Sequence, residues 1–219
     1  MDKIKIVIDI ETIPTEIDQA WLEEKKEKIV RSYKTENTIM KHLEEAADSW
    51  KWELGGTQVI CVGMKNLNTG KLQAFSGADE KVLLSEVGAE FQDWTKRLGD
   101  GTHYERKPLQ LIGFNIQNFD IPHLHVACSR NNLLPPFRLH RYSVTDLIDW
   151  PYGYQLGRRS LNYYLRAFGV EGKTGNGADV ARLWKEDQEK GTNQVAEYCK
   201  ADVEKTAELY LRMGEMWQD

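Results

Sequence analysis

Asp9 and Glu11 stand two residues apart at the end of a run of β-branched residues, Ile4, Ile6, Val7, Ile8 and Ile10. Side chains alternate along an extended strand, so both carboxylates fall on one face. Two acids side by side repel unless a cation joins them. The pair is therefore either a cation site or two acids on a strand emerging into solvent. Asp-x-Glu recurs at Asp187-Gln188-Glu189 and Asp202-Val203-Glu204, but only the first triplet ends an apolar strand. Asp120, in Asn115-Ile116-Gln117-Asn118-Phe119-Asp120, lies two residues before Pro122, where a helix N-cap belongs. Tyr198 and Asp202 are four residues apart on a long amphipathic helix. At ~100° per residue, Val195, Cys199, Val203, Ala207, Tyr210, Met213 and Trp217 share one arc, with Glu197, Glu204, Glu208, Arg212 and Glu215 opposite. Asp202 falls on the apolar side, with Tyr198 beside it at the edge. A core-facing acid is costly unless it binds metal or pairs with a cation, and the sequence names no such cation. The Tyr142/Asp146 pair shows that the spacing alone proves little.

The elements that must position these residues follow from periodicity. Lys3 to Ile10 reads as a buried strand. Residues 15–54 read as two charged helices, with Ile17, Trp21 and Ile29 on the apolar side of the first, and Met40, Leu43, Ala47 and Trp50 on that of the second. Gly55-Gly56 breaks the pattern, and Thr57 to Lys65 with Lys71 to Ser76 forms a hairpin around Asn68-Thr69-Gly70. A helix is expected over 80–98, a strand from Leu109 to Phe114, a helix from Pro122 to Asn131 and a short strand from Ser143 to Leu147. Helices at 160–168, 178–190 and 193–217 complete the chain. The order implies an α/β fold: a mixed five-stranded sheet flanked by helices, with a helical insertion after the first strand. Residues 1–219 are expected to be a single domain.

The 219 residues are 41% apolar and 29% charged, enough to bury a core. A net charge of −5 excludes a protein that coats nucleic acid by bulk positive charge. Residues 121–177 run against that balance, with seven cations (Arg130, Arg138, Arg141, Arg158, Arg159, Arg166 and Lys173) against three acids. Phe137, Tyr142, Trp150, Tyr152, Tyr154, Tyr163 and Tyr164 are interleaved, a mixture suited to unstacked bases, although core packing accounts for at least half of these residues. Three scattered cysteines fit neither a disulfide framework nor a zinc site, and no segment reads as a signal peptide or membrane span, so a cytoplasmic location is expected. Gly172-Lys173-Thr174 lacks the earlier glycine of a phosphate loop, since Ala167 stands there, and reads as a Gly-rich turn. His123 and His125 are expected to be structural. Trp50 and Trp52 either contact a nucleic acid through their rings or pin the insertion; pinning is the expectation.

Asp-x-Glu on a first strand, Asn-x-x-x-Phe-Asp after a later strand and Tyr-x-x-x-Asp on a late helix together resemble the signature of the DEDDy 3′→5′ exonucleases. These belong to the DnaQ-like, ribonuclease H-like superfamily. The stretch Gly113 to Leu124 is similar to the second exonuclease motif of B-family DNA polymerases. Glu197, where the related histidine branch has its base, and Tyr198 one residue later assign the chain to the tyrosine branch. The resemblance implies a ribonuclease H-like fold in which Asp9, Glu11, Asp120 and Asp202 hold two divalent cations, Mg²⁺ or Mn²⁺. It further implies that Tyr198 orients the attacking water, and that Asn115 and Phe119 contact the 3′ end of single-stranded DNA. The implied activity is hydrolysis from that end to 5′-mononucleotides. The alternatives are an exoribonuclease, because related cores act on RNA, and a non-catalytic module that binds nucleic-acid ends. With the length used up by the nuclease, proofreading in cis is not expected; any polymerase, replication or repair partner is unspecified.

Overall fold

A computed structural model describes residues 3–95, 108–137, 142–149, 159–173, 178–186 and 188–215. Five strands form one mixed sheet: β1 Ile4–Pro14, β2 Thr57–Asn66, β3 Leu72–Ser76, β4 Leu109–Gly113 and β5 Tyr142–Asp146, in the order β3-β2-β1-β4-β5. The β1–β2 and β2–β3 pairs are antiparallel, and β1–β4 and β4–β5 are parallel. The helices are α1 Gln19–Ser32, α2 Glu36–Ser49, α3 Glu80–Thr95, α4 Asp120–Arg130, α5 Leu161–Ala167, α6 Ala178–Glu186 and α7 Gln188–Glu215. The expected strands and helices are all present, with ends displaced by a few residues. No described helix is long and apolar enough to cross a membrane.

Alternation along β1 divides the core. Ile4, Ile6, Ile8 and Ile10 pack with Leu83, Val87 and Phe91 of α3 and Leu124 of α4 on one face. Val7 packs on the other with Ile112 of β4 and Val203, Ala207 and Met213 of α7. Asp9 and Glu11 continue the Val7 series and so face α7. A β-bulge between Glu11 and Thr12 shifts the register with β2 just beyond them.

The arc read from α7 is the one it buries: Val195, Cys199, Val203, Ala207 and Met213 are buried, and Tyr210 is half-buried. Trp217 lies outside the described residues. The helix sits unusually close to β2, where Gly63 pairs with Asp9. A Cβ on Gly63 would lie 2.7 Å from Cys199 Sγ and 2.8 Å from Val203 Cγ2. The missing side chain thus sets the distance between the strand pair that carries Asp9 and the helix that carries Tyr198 and Asp202.

The insertion is two helices, as expected, and they pack loosely. Helices α1 and α2 form as read, with Asp18 capping α1 by accepting from Ala20 and Trp21 N–H, but no residue of either helix is buried. Met40 is among the exposed apolar side chains. The apolar stripes of the two helices meet mainly each other and not the body, which leaves them half-covered. Trp50 alone reaches the core, from a 3₁₀ turn, Trp50–Trp52, that follows α2.

Gly63→Ala is expected to lower stability by about 1–3 kcal/mol, the usual cost of overpacking, read as a lower urea midpoint at unchanged slope. Cys199→Ala in the same chain should recover part of that loss by removing the nearer obstacle.

Candidate active site

Four acids of the sequence reading converge where β1 passes the end of its parallel neighbour. Pairing of β1 with β4 runs only from Ile4 to Val7, so the later N–H groups on that side need another acceptor. Asp120 supplies it: its carboxylate accepts from the Ile10 N–H at 3.0 Å, between Asp9 and Glu11. The expectation that Asp120 is a helix N-cap is corrected here. Phe119 holds the cap position, and Asp120 is the first helical residue, 3% exposed, with its side chain turned across to β1.

The loop before Asp120 is built around Asn115, which adopts φ 64°. That left-handed conformation suits Asn better than most side chains. Asp146, at the end of β5, locks the loop by accepting from Asn115 N–H at 2.6 Å and Gln117 N–H at 2.9 Å. Phe119 is half-buried and tilts against His123, whose Nδ1 lies 2.7 Å from the Phe119 carbonyl. His123 is thus structural, as read. The role of Asp146 was not read, because its Tyr-x-x-x-Asp spacing pointed to Tyr142 and not to backbone 31 residues earlier.

From α7, Cys199, Tyr198 and Asp202 approach the same place. Ligand atoms of Asp9, Glu11 and Cys199 lie within 4.8 Å of one another, and Cys199 Sγ is 3.7 Å from Asp9 Oδ2. Asp202 is 5% exposed, and its Oδ1 is buried with no hydrogen-bond partner among the described residues. Its Oδ2 accepts from Lys173 Nζ at 2.8 Å, and the same ammonium donates to the Tyr198 hydroxyl at 2.7 Å while lying over the phenol ring. Lys173 is the cation that the sequence could not name. Its signal was present only as one charge of the basic stretch and one residue of the Gly-rich turn.

The other cations of that stretch divide. Arg130 is structural, bonded with Asn131 to the buried Glu80, which also accepts from Val59 N–H. Arg159 lies over the exposed ring of Tyr163. Phe137 and Tyr164 belong to the core. Arg138, Arg141, Arg158, Trp150, Tyr152 and Tyr154 lie outside the described residues.

Crowding of acids governs the electrostatics. Burial and the nearby Asp202 push the Asp9 carboxyl up to about 7. Burial, then Asp9 and Asp202, push Glu11 up to about 10, with Lys173 opposing both shifts. Asp120 is raised by burial and by Asp9, against the lowering effect of the Ile10 N–H. Burial and Asp202 raise the Tyr198 phenol, so it stays protonated at neutral pH. Without a further cation, the folded protein favours protonated acids at this site.

Residues 101–218 match the family model of a predicted 3′→5′ exonuclease related to the exonuclease domain of PolB. That span is more than half of the chain, and the protein belongs to this family of exonucleases. It includes Asn115, Phe119, Asp120, Tyr198 and Asp202 and begins after Asp9 and Glu11. The fold is similar to that of the family B DNA polymerase from the hyperthermophilic archaeon Pyrobaculum calidifontis. The TM-score is 0.59 at 14% identity, over 99% of this chain and 24% of that one. The likeness covers β1 as well and bears out the ribonuclease H-like fold, while the chain spans about a quarter of that polymerase's length. No curated protein matches the chain.

A group whose pKa is raised in the folded state favours folding at pH below its unfolded value, near ~4 for Asp and Glu. That advantage is lost as pH rises through the folded value. With a chelator present, the melting temperature should therefore fall from about pH 5 to about pH 10, through the Asp9 value of about 7 and up to the Glu11 value of about 10. Asp9→Asn should make the fall shallower, and added Mn²⁺ should raise the melting temperature more at the alkaline end. A flat profile in chelator would contradict the crowding described above.

Proposed function

We propose that residues 1–219 form one exonuclease domain that removes nucleotides from the 3′ end of single-stranded DNA. In this reading Asp9, Glu11, Asp120 and Asp202 hold two divalent cations, and the products are 5′-mononucleotides. The observation that carries it is the buried, unpartnered Asp202 Oδ1 beside acids pushed toward protonation. A lone pair buried with no donor is costly unless a ligand meets it. Carboxylate oxygens are hard donors, which suits Mg²⁺ or Mn²⁺, so the residues fit the group. When bound, such cations activate water and stabilise charge on the leaving oxygen of a phosphodiester.

The remaining work falls to the chain's own residues. Tyr198 keeps its proton at neutral pH, so it positions water through hydrogen bonds and does not act as the base. Lys173 fixes the phenol and Asp202 together and offsets part of the acidic charge beside which a phosphate must sit. In this reading Asn115 and Phe119, on the loop that delivers Asp120, contact the terminal nucleotide. Asp146 keeps that loop in shape. DNA is favoured over RNA because both the family and the fold neighbour are defined by DNA-polymerase relationships.

The test uses 5′-labelled single-stranded DNA and RNA with Mg²⁺ or Mn²⁺. DNA should be shortened stepwise from its 3′ end, and Asp9→Ala should abolish this. Preference for RNA, or tight binding without cleavage under every metal condition, would replace the reading with the exoribonuclease or the end-binding module. Tyr198→Phe should lower kcat by roughly 10²-fold, the order of one positioned hydrogen-bonding group, while Mn²⁺ binding by calorimetry stays nearly unchanged.

A further inference from the structure

Two tryptophans of one 3₁₀ turn have opposite environments. Trp50 is 7% exposed, its Nε1 donates to the Glu16 carbonyl at 3.1 Å, and its ring tilts against Trp21 at 4.9 Å. Trp52 is 66% exposed, more than any other large apolar side chain among the described residues. The turn that presents it is rigidly held. Glu53 N–H bonds the Trp50 carbonyl, Gly56 N–H bonds the Glu53 carbonyl, and Thr15 N–H bonds the Gly56 carbonyl. At Gly56 a Cβ would fall 1.9 Å from the Trp50 carbonyl oxygen, so the chain closes on itself tightly there. An exposed indole on a fixed support is apolar surface that folding has left unburied.

Its position relates it to the acids. Glu11 pairs with Cys61 and Pro14 with Thr57, so three strand residues, about 10 Å, separate Glu11 from the exit of β1. The Trp50–Trp52 turn is tied to that exit. The Lys51 ammonium lies 5.7 Å from the centre of the Trp52 ring while pairing with Asp48 at 2.7 Å, which covers one face of the indole with a cation. The surroundings do not suit a grip on phosphates: residues 15–54 carry ten acids against seven cations. Contact there must be made through a π-face and not through charge.

We infer that Trp52 is a stacking platform for an unpaired nucleobase of the substrate strand, several nucleotides from the end held at the carboxylates. The inference rests on the exonuclease reading and adds to it a second contact, supplied by the insertion. A base stacks on the indole face away from Lys51, and the strand between base and scissile bond spans the exit of β1. Such contacts are tolerant of sequence, because every base has a π-face.

The test compares Trp52→Ala, Trp52→Phe and the unaltered chain on a dinucleotide and on a single strand of about 12 nucleotides, within the site sizes of single-strand grooves. Binding is read by fluorescence anisotropy in chelator, and cleavage with Mn²⁺. Trp52→Ala should weaken binding of the longer strand roughly 5- to 100-fold, the range of base–aromatic stacking, and Trp52→Phe by less. Dinucleotide kcat/KM should not change. The slope of log affinity against log salt should also hold, since stacking releases no counterions. Unchanged binding of the long strand, an equal loss on the dinucleotide, or a reduced salt slope would each overturn the inference. An unaltered chain that neither binds nor cleaves DNA or RNA would overturn the exonuclease reading along with it. An active chain indifferent to Trp52 would overturn the platform alone.

Discussion

Carboxylates crowded into one partly buried pocket repel one another, and the rest of the molecule is arranged around keeping them there. Each is held by an element of different origin: Asp9 and Glu11 by a central strand, Asp120 by the start of α4, Asp202 by α7. None of these elements is itself positioned by an ion pair between the acids and a cation. The strand is fixed by antiparallel pairing, Asp120 by the Ile10 N–H, and α7 by an apolar arc that closes on Gly63. Repulsion is then balanced locally by one ammonium, Lys173, and by protonation. A site of this kind is unstable by itself and is stabilised by whatever positive charge it recruits.

The scaffold and the site were unequally legible in the sequence. Strand β1 and helix α7 could be read because apolar periodicity and burial coincide: alternation gave the shared face of Asp9 and Glu11, and the 3.6-residue repeat placed Asp202 inward. Asp120 was harder, since its spacing from Pro122 is that of a cap. Only the early end of β4 reveals that a strand N–H across the sheet needs its carboxylate. Lys173 and Asp146 were not legible as partners at all. Both act on groups far away in sequence; Lys173 stands in a Gly-rich turn, and Asp146 is the last residue of a strand too short for its alternation to name the backbone groups it meets.

The insertion was legible in another respect. Its helices form as expected, and of their apolar residues Trp50 is buried, Met40 is exposed and Ile17, Trp21, Ile29, Leu43 and Ala47 are half-buried. Periodicity reports that a helix has an apolar side; it does not report what covers that side. The surface of α1 and α2 carries ion pairs within each helix, such as Lys28 with Glu24 and Arg31 with Glu27. These support the helices locally without tying them to the sheet.

Entry to and exit from this segment are bridged by a single backbone bond, Thr15 N–H to the Gly56 carbonyl at 2.9 Å. The two ends are therefore as near to each other as the ends of a tight turn, and the ladder of β1 with β2 reaches that bridge without help from what lies between. Some forty residues hang from the sheet by that bridge and by the docked ring of Trp50. A change in the length or sequence of that segment is therefore expected to leave the pairing of β1 with β2, and the position of Asp9 and Glu11 on it, largely as they are.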